Sequence, residues 1–180
     1  MDLIRVGIID DHPAIVLGTT AILNAQPDLH VVSTASTARQ LLARRERVDV
    51  ILLDLVLADS TSPSLNIETL APLNARIVAY TSGERPELIR EAAKAGAVGM
   101  IRKSEQAESI VAAVRGAVDE DVVASVDWAA ALDSDAEFVH AELTAREAEV
   151  LALYASGEAE SIFAGYKVHV ISGNQVTSEV

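Results

Sequence analysis

Short runs of β-branched and aliphatic residues alternate with helix-length segments over residues 1–118 of this chain. The clearest run, at 50–53, has the sequence Val-Ile-Leu-Leu. It contains no polar position, which is typical of a strand buried on both faces. Strands of this kind that alternate with helices favour a parallel sheet covered by helices on both sides. We therefore predict a doubly wound α/β fold with a five-stranded parallel sheet.

Proline and glycine mark where the predicted helices begin and end. Proline stands at or near three helix starts, where its missing N–H is harmless. Gly96 suits a helix end because a residue without Cβ readily takes the left-handed conformation. The strands are predicted at 3–9, 29–34, 49–54, 76–81 and 98–101, and the helices near 13–26, 36–47, 63–73, 85–95 and 105–118.

Charge divides the chain into two unlike parts. Residues 1–118 hold 14 acidic and 12 basic residues, whereas residues 119–180 hold 13 acidic and two basic residues. The second part lacks the strand pattern, and a capping-box spacing that begins at Thr144 indicates a helix. We expect one α/β domain at 1–118, an acidic linker at 119–142 and a small all-helical segment at 143–180.

Composition excludes several classes of protein. The chain has no cysteine, which rules out disulfides, thiolate zinc sites and cysteine nucleophiles. No apolar run approaches the roughly 20 residues that span a bilayer, and Asp2 stands where a signal peptide carries basic residues. We therefore expect a cytoplasmic protein without a membrane partner. None of the nine glycines has the spacing of a phosphate-binding loop, which argues against nucleotide binding.

Polar residues stand where the predicted strands end. Asp10 and Asp11 follow the first strand, Asp54 ends the third, Thr81 ends the fourth, and Lys103 comes just after the fifth. Open parallel sheets bind ligands at the carboxyl ends of their strands, so we expect these side chains to share one pocket. Three converging carboxylates need either a raised pKa or a hard cation, and oxygen ligands suit Mg²⁺. A lysine and a threonine hydroxyl in the same pocket can bind the oxygens of a phosphoryl group.

This ordered set of residues resembles the receiver domain of bacterial two-component response regulators, which has a (βα)5 flavodoxin-like fold. The resemblance covers residues 1–118. It implies a sensor histidine kinase as partner, and no enzymatic activity beyond the protein's own phosphorylation and dephosphorylation. The roles that the resemblance implies are Mg²⁺ binding for Asp10, Asp11, Asp54 and the carbonyl of Val56, phosphoacceptance for Asp54, and contact with the phosphoryl group for Thr81 and Lys103.

Two segments resemble the NarL/FixJ class in particular. Residues 95–103 have the sequence Ala-Gly-Ala-Val-Gly-Met-Ile-Arg-Lys, and residues 143–151 resemble the opening of a LuxR-type helix-turn-helix. Met100 stands where the family usually has an aromatic switch residue. After Gly157 the resemblance decays, so we interpret 143–180 as a partial helix-turn-helix effector segment.

The resemblance also implies control of transcription. Phosphorylation would draw Thr81 inward and vacate space for Met100 or Tyr80, and the surface of the fourth helix, fifth strand and fifth helix could then pair two copies of the chain. DNA is a partner of the complete family architecture. Ser172–Val180 contains no basic residue, however, and 119–180 is strongly acidic. We therefore expect no sequence-specific DNA binding by the chain as written.

Two other functions stay open at this point. A Mg²⁺-dependent phosphohydrolase would use Asp54 as its nucleophile in turnover, but Val56 stands where the haloacid dehalogenase type has a second carboxylate. A receiver that acts only through protein contacts and is never phosphorylated would have no use for all four pocket groups. A response regulator that is phosphorylated on Asp54 is the hypothesis that uses every one of them.

His12 lies directly beside the acidic pair. Imidazole is a common metal ligand, but His12 and Pro13 begin a predicted helix, and no second histidine lies near in the sequence. We therefore interpret His12 as a helix-start residue and leave it out of the predicted site.

Overall fold

The computed structural model describes residues 3–82, 85–119 and 128–129. These residues form a parallel sheet whose strands are β1 (Ile4–Ile9), β2 (Leu29–Ala35), β3 (Val50–Leu53), β4 (Arg76–Thr81) and β5 (Gly99–Arg102). The strands lie in the order β2-β1-β3-β4-β5. The predicted five-stranded α/β fold is confirmed.

One helix follows each strand. The helices are α1 (Pro13–Asn24), α2 (Ala38–Ala43), α3 (Pro63–Leu70), α4 (Pro86–Lys94) and α5 (Ala107–Val118), with a 3-10 turn at Ala71–Leu73 after α3. The prediction of a second helix over 36–47 was wrong in length. Thr37 caps α2 by accepting a hydrogen bond from the Gln40 N–H. Arg45 has a φ of 55°, and this left-handed conformation does not continue a right-handed helix.

Strand β3 shows how the sheet separates two apolar clusters. Val50 and Leu52 belong to the cluster formed with α1 and α5, whereas Ile51 and Leu53 belong to the cluster formed with α2, α3 and α4. All four side chains are fully buried, which explains why this strand contains no polar residue. Each buried aliphatic side chain contributes about 1.5–3 kcal/mol. Strand β3 therefore holds the residue that follows it in a fixed position.

The strand order creates a crevice at one edge of the sheet. The chain leaves β1 for the edge strand β2, and later leaves β3 in the opposite direction for β4 and β5. The connections therefore diverge at the carboxyl ends of β1 and β3, which is where doubly wound sheets bind ligands. Asp10 and Asp54 are the residues that directly follow these two strands.

Within the described ranges, no helix is both long enough and apolar enough to cross a membrane. Trp128 is 4% exposed and belongs to the cluster on the α2, α3 and α4 side of the sheet. Apart from Asp119 and residues 128–129, the predicted linker at 119–142 and the predicted helix-turn-helix segment at 143–180 lie outside the described residues.

Candidate functional site

Asp10 and Asp54 are held at the carboxyl edge of the sheet by backbone hydrogen bonds. The Asp10 N–H donates to the Ala35 carbonyl at 3.0 Å, and the Asp54 N–H donates to the Ile9 carbonyl at 2.8 Å. Both residues are only 3% exposed. Because these bonds continue the pattern of the sheet, the two carboxylates have little freedom to separate. They lie side by side, as the sequence predicts.

Lys103 joins these two carboxylates. Its Nζ lies 2.7 Å from Asp54 Oδ2 and 2.8 Å from Asp10 Oδ2, and its side chain is 10% exposed. Its backbone N–H donates to the Thr81 carbonyl at 2.9 Å, which fixes the lysine next to the end of β4. One ammonium group therefore serves two buried carboxylates.

Asp11 and Val56 lie on the open side of the same crevice. An Asp11 carboxylate oxygen accepts a hydrogen bond from the Ala58 N–H at 3.0 Å, which ties the acidic pair to the loop after β3. Val56 enters through its backbone, since its N–H donates to Asp54 Oδ1 at 3.2 Å while its side chain is 45% exposed. The structure thus brings the loop of the predicted carbonyl ligand next to Asp54.

Thr81 ends β4 and is 5% exposed. Its position in the sheet is fixed by pairing with Arg102 of β5 and by the bond from Lys103 to its carbonyl. Every residue of the predicted site is therefore found at one edge of the sheet. The residues concerned are Asp10, Asp11, Asp54, Val56, Thr81 and Lys103.

The structure also places His12, which the sequence analysis left out of the site, beside the acidic pair. Its ring Nδ1 lies 3.0 Å from Asp10 Oδ1, 3.1 Å from Asp11 Oδ1 and 4.0 Å from Asp54 Oδ2. We set His12 aside because no second histidine lies near in the sequence, whereas the structure surrounds its ring with three aspartates. The adjacency of His12 to the acidic pair was the signal that could have found it.

Burial and charge act against each other in this crevice. Burial raises the pKa of the Asp54 carboxyl above its ordinary range, although hydrogen bonds from Lys103 and Val56 oppose the change. Burial lowers the pKa of the Lys103 ammonium, but its hydrogen bonds to Asp10 and Asp54 outweigh burial, so the net change is upward. Lys103 therefore stays charged, and the ionised Asp54 is in surroundings that favour a further positive charge.

The donor atoms of the crevice fit a divalent cation. One ligand atom from each of Asp10, Asp11, His12 and Asp54 lies within 4.8 Å of all the others. Asp11 Oδ1 is buried and accepts no hydrogen bond. Three carboxylates close to a single lysine leave an excess of negative charge, and carboxylate oxygens are the ligands that Mg²⁺ prefers.

Comparison with known families identifies this arrangement. The model of the response regulator receiver domain matches residues 6–115, which include every residue of the site. The chain belongs to this family. The match covers all five strands of the receiver sheet except the first two residues of β1.

Curated relatives specify the class of response regulator. The transcriptional regulatory protein LiaR of Bacillus subtilis is 31% identical over 165 residues, which cover 87% of this chain and 78% of LiaR. The nitrate/nitrite response regulator NarL of Escherichia coli is 31% identical over 163 residues, which cover 83% of this chain and 74% of NarL. These similarities confirm the resemblance to the NarL/FixJ class.

Solved structures agree with this class. A LuxR-family two-component response regulator from an Aurantimonas species is 25% identical and has a TM-score of 0.64. The alignment covers 72% of this chain and 94% of that chain. This receiver therefore has the fold of a two-component response regulator as well as the sequence pattern.

Proposed function

We propose that Asp54 accepts a phosphoryl group from a sensor histidine kinase and that this phosphorylation controls transcription. The observation that carries the proposal is the surroundings of Asp54. Its carboxylate is buried at the end of β3, and its Oδ2 lies 2.7 Å from Lys103 Nζ. It faces a second buried carboxylate, that of Asp10. These neighbours suit the transfer of a phosphoryl group, because its negatively charged oxygens can be bound by the lysine and by a metal ion.

The chemical step is a phosphoryl transfer. An Asp54 carboxylate oxygen forms a bond to phosphorus while the bond from phosphorus to the donor nitrogen breaks. The donor nitrogen keeps the bonding electrons and takes up a proton, and Asp54 becomes an acyl phosphate. The Lys103 ammonium, already 2.7 Å from Asp54 Oδ2, then pairs with the oxygens of the new phosphoryl group.

The same residues provide for a metal ion. Asp10, Asp11, Asp54 and the Val56 carbonyl would hold Mg²⁺, which when bound neutralises charge on the phosphoryl oxygens. The Val56 N–H keeps Asp54 Oδ1 oriented at 3.2 Å. The Lys103 ammonium offsets part of the repulsion between the two buried carboxylates in the unphosphorylated protein.

Phosphorylation then changes the neighbours of Thr81. We infer that its hydroxyl turns toward the phosphoryl group and that Met100 fills the vacated space. Met100 is 1% exposed and packs on the α2, α3 and α4 side of the sheet. Tyr80 belongs to the opposite cluster, and its hydroxyl lies 3.0 Å from Thr19 Oγ1 of α1. The hydrogen bond with Thr19 holds Tyr80 on that side, so we now favour Met100 of the two switch candidates.

The surface on the Met100 side of the sheet would transmit the phosphorylation signal. The surface of α4 and β5 exposes, in part or in full, Leu88, Arg90, Lys94 and Arg102. We propose that this surface pairs two phosphorylated copies. The linker at 119–142 and the partial effector segment at 143–180 would pass the signal to DNA in the complete family architecture. For this chain we keep the expectation of no sequence-specific DNA binding, because 119–180 carries 13 acidic and two basic residues.

Phosphorylation by a small acyl phosphate, with and without Mg²⁺, tests the proposed function on the full chain. We expect labelling of the parent protein only when Mg²⁺ is present, and no labelling of Asp11→Asn. Asp59→Asn is the matched control, since Asp59 is an exposed acid of the nearby loop that accepts a hydrogen bond from the Thr61 N–H. Labelling that is equally fast without Mg²⁺, or unchanged in Asp11→Asn, would contradict the proposal.

A further inference from the structure

The side chain of His12 does not cap the helix that it begins, and it faces the acidic residues of the crevice. The residue occupies the N-cap position of α1, yet its side chain makes no capping hydrogen bond. The helix start is supported instead by Pro13 and by the His12 backbone N–H, which donates to Asp10 Oδ1 at 2.9 Å. The ring is 64% exposed on its outer side, while its Nδ1 is directed at the carboxylates. The ring is instead held against the acidic pair, with its Nδ1 within hydrogen-bond distance, 3.0 Å, of Asp10 Oδ1.

The spacing of Nδ1 from the carboxylate oxygens matches that of ligands around one ion. With metal–ligand distances of about 2.1 Å, an octahedral shell places neighbouring ligand atoms about 3.0 Å apart and opposite ones about 4.2 Å apart. His12 Nδ1 lies 3.0 Å from Asp10 Oδ1 and 3.1 Å from Asp11 Oδ1, which are neighbour distances. It lies 4.0 Å from Asp54 Oδ2, which is close to an opposite distance.

A nitrogen ligand changes which metals a carboxylate site prefers. Mg²⁺ favours oxygen and gains little from imidazole, whereas divalent transition metals bind imidazole well. We propose that His12 is an additional ligand of the divalent-cation site, so that its imidazole raises the affinity of this receiver for transition metals such as Mn²⁺ and Co²⁺ relative to Mg²⁺. The proposal rests on the proposed function, because it uses the same aspartates, and it adds a determinant of metal choice.

Metal binding to the full chain tests the proposal without reference to phosphorylation. The parent protein, His12→Gln and His30→Gln are titrated separately with Mg²⁺ and with Co²⁺. His30 is an exposed histidine of β2 and serves as the matched control. We expect His12→Gln to weaken Co²⁺ binding by at least about tenfold and to change Mg²⁺ binding less than about twofold. His30→Gln should change neither affinity.

Pulsed electron paramagnetic resonance of the Mn²⁺-loaded chain gives a direct readout of the ligand. We expect a nitrogen-14 coupling from one imidazole in the parent protein and in His30→Gln, and its loss in His12→Gln. Because the ring is largely exposed, the glutamine variant is expected to fold, and its circular dichroism spectrum checks this.

The outcomes separate this proposal from the proposed function. Mn²⁺ bound without a nitrogen coupling, or an equal loss of Mg²⁺ and Co²⁺ affinity in His12→Gln, would overturn the role of His12 and leave the aspartate site standing. Metal binding that is unaffected by Asp11→Asn would overturn both, because the ion would then be elsewhere.

Discussion

Two aspartates flank strand β3, and they have opposite surroundings. Asp49 precedes the strand and accepts three hydrogen bonds from Arg5: from the backbone N–H at 2.9 Å, from Nε at 2.8 Å and from Nη2 at 2.7 Å. These side-chain bonds lower the pKa of the Asp49 carboxyl. Asp54 follows the strand, and burial raises the pKa of its carboxyl. One strand is thus flanked by an acid whose ionised form is stabilised by its partner and by an acid whose ionised form is disfavoured by burial.

The same contrast extends across the two edges of the sheet. At the amino edge, Asp28 is paired with Arg115 by bonds of 2.7 and 2.8 Å, which lower the pKa of the Asp28 carboxyl. There each carboxylate has an arginine of its own, in the two-point geometry that suits a guanidinium. At the carboxyl edge, Asp10 and Asp54 share Lys103. The arginine–aspartate pairs stabilise the fold, whereas two carboxylates that share one lysine leave negative charge that can attract a cation.

The largest expected effect is on the rate of phosphorylation, which should depend on a cation of the carboxyl edge and not on one of the amino edge. Lys103→Ala should slow phosphorylation of Asp54 by about 10²–10³-fold, a typical loss for one electrostatic donor at a reacting centre. Arg115→Ala removes a cation of the amino edge and should leave the rate nearly unchanged. Initial rates with a small acyl phosphate and Mg²⁺ provide the measurement. Equal rates in the two variants would remove the functional distinction between the edges.

Replacing the aspartates at the two ends of β3 should change the stability of the protein in opposite directions. Asp49→Asn breaks the arginine pair and should lower the urea midpoint of unfolding. Asp54→Asn removes a buried charge whose pKa is raised, and should raise the midpoint. A fall in Asp54→Asn as large as that in Asp49→Asn would show that both acids are structural.

The pH dependence of these two stability differences should follow from the pKa directions. The contribution of Asp49, whose pKa is lowered in the fold, is present above the unfolded value of about 3.9 and is lost as pH falls through the folded pKa. Ionised Asp54, whose folded pKa is raised, destabilises the fold at neutral pH. This destabilisation disappears as pH falls through the raised pKa and toward about 3.9. Urea midpoints of the parent and both variants between pH 7 and pH 3 measure the pH range over which each stability difference is lost. As pH falls, the higher midpoint of Asp54→Asn relative to the parent should disappear first.

The smallest expected effect concerns the apolar face beneath the site. Tyr80→Phe removes the hydroxyl that pairs with Thr19 and should lower the free energy of unfolding by about 1 kcal/mol. Phosphorylation and its dependence on Mg²⁺ should stay as in the parent, because Tyr80 packs on the α1 and α5 side. A phosphorylation-dependent sedimentation change that is lost in Tyr80→Phe, but kept in Met100→Ala, would reverse our assignment of the switch residue.

The sequence predicts the carboxyl edge of the sheet better than the amino edge. Asp10, Asp54 and Lys103 could be predicted because each directly follows a strand, and strand ends converge in a parallel sheet. The pair of Arg5 and Asp49 could not, because it depends on the side-chain geometry of two residues that are 44 positions apart.

Local geometry accounts for the other features that the sequence pattern does not show. The His12 ring is oriented by its contact with Asp10 Oδ1, and the early end of α2 follows from the left-handed conformation of Arg45. Neither feature has a periodicity that a sequence pattern could show.

Intact-protein mass spectrometry tests the central claim most directly. The full chain, Asp54→Asn and Asp49→Asn are each treated with a small acyl phosphate and Mg²⁺, and the two variants replace the aspartates at the two ends of β3. The account predicts a mass increase of about 80 Da, one phosphoryl group, in the parent and in Asp49→Asn, and none in Asp54→Asn. The same increase in Asp54→Asn would contradict it.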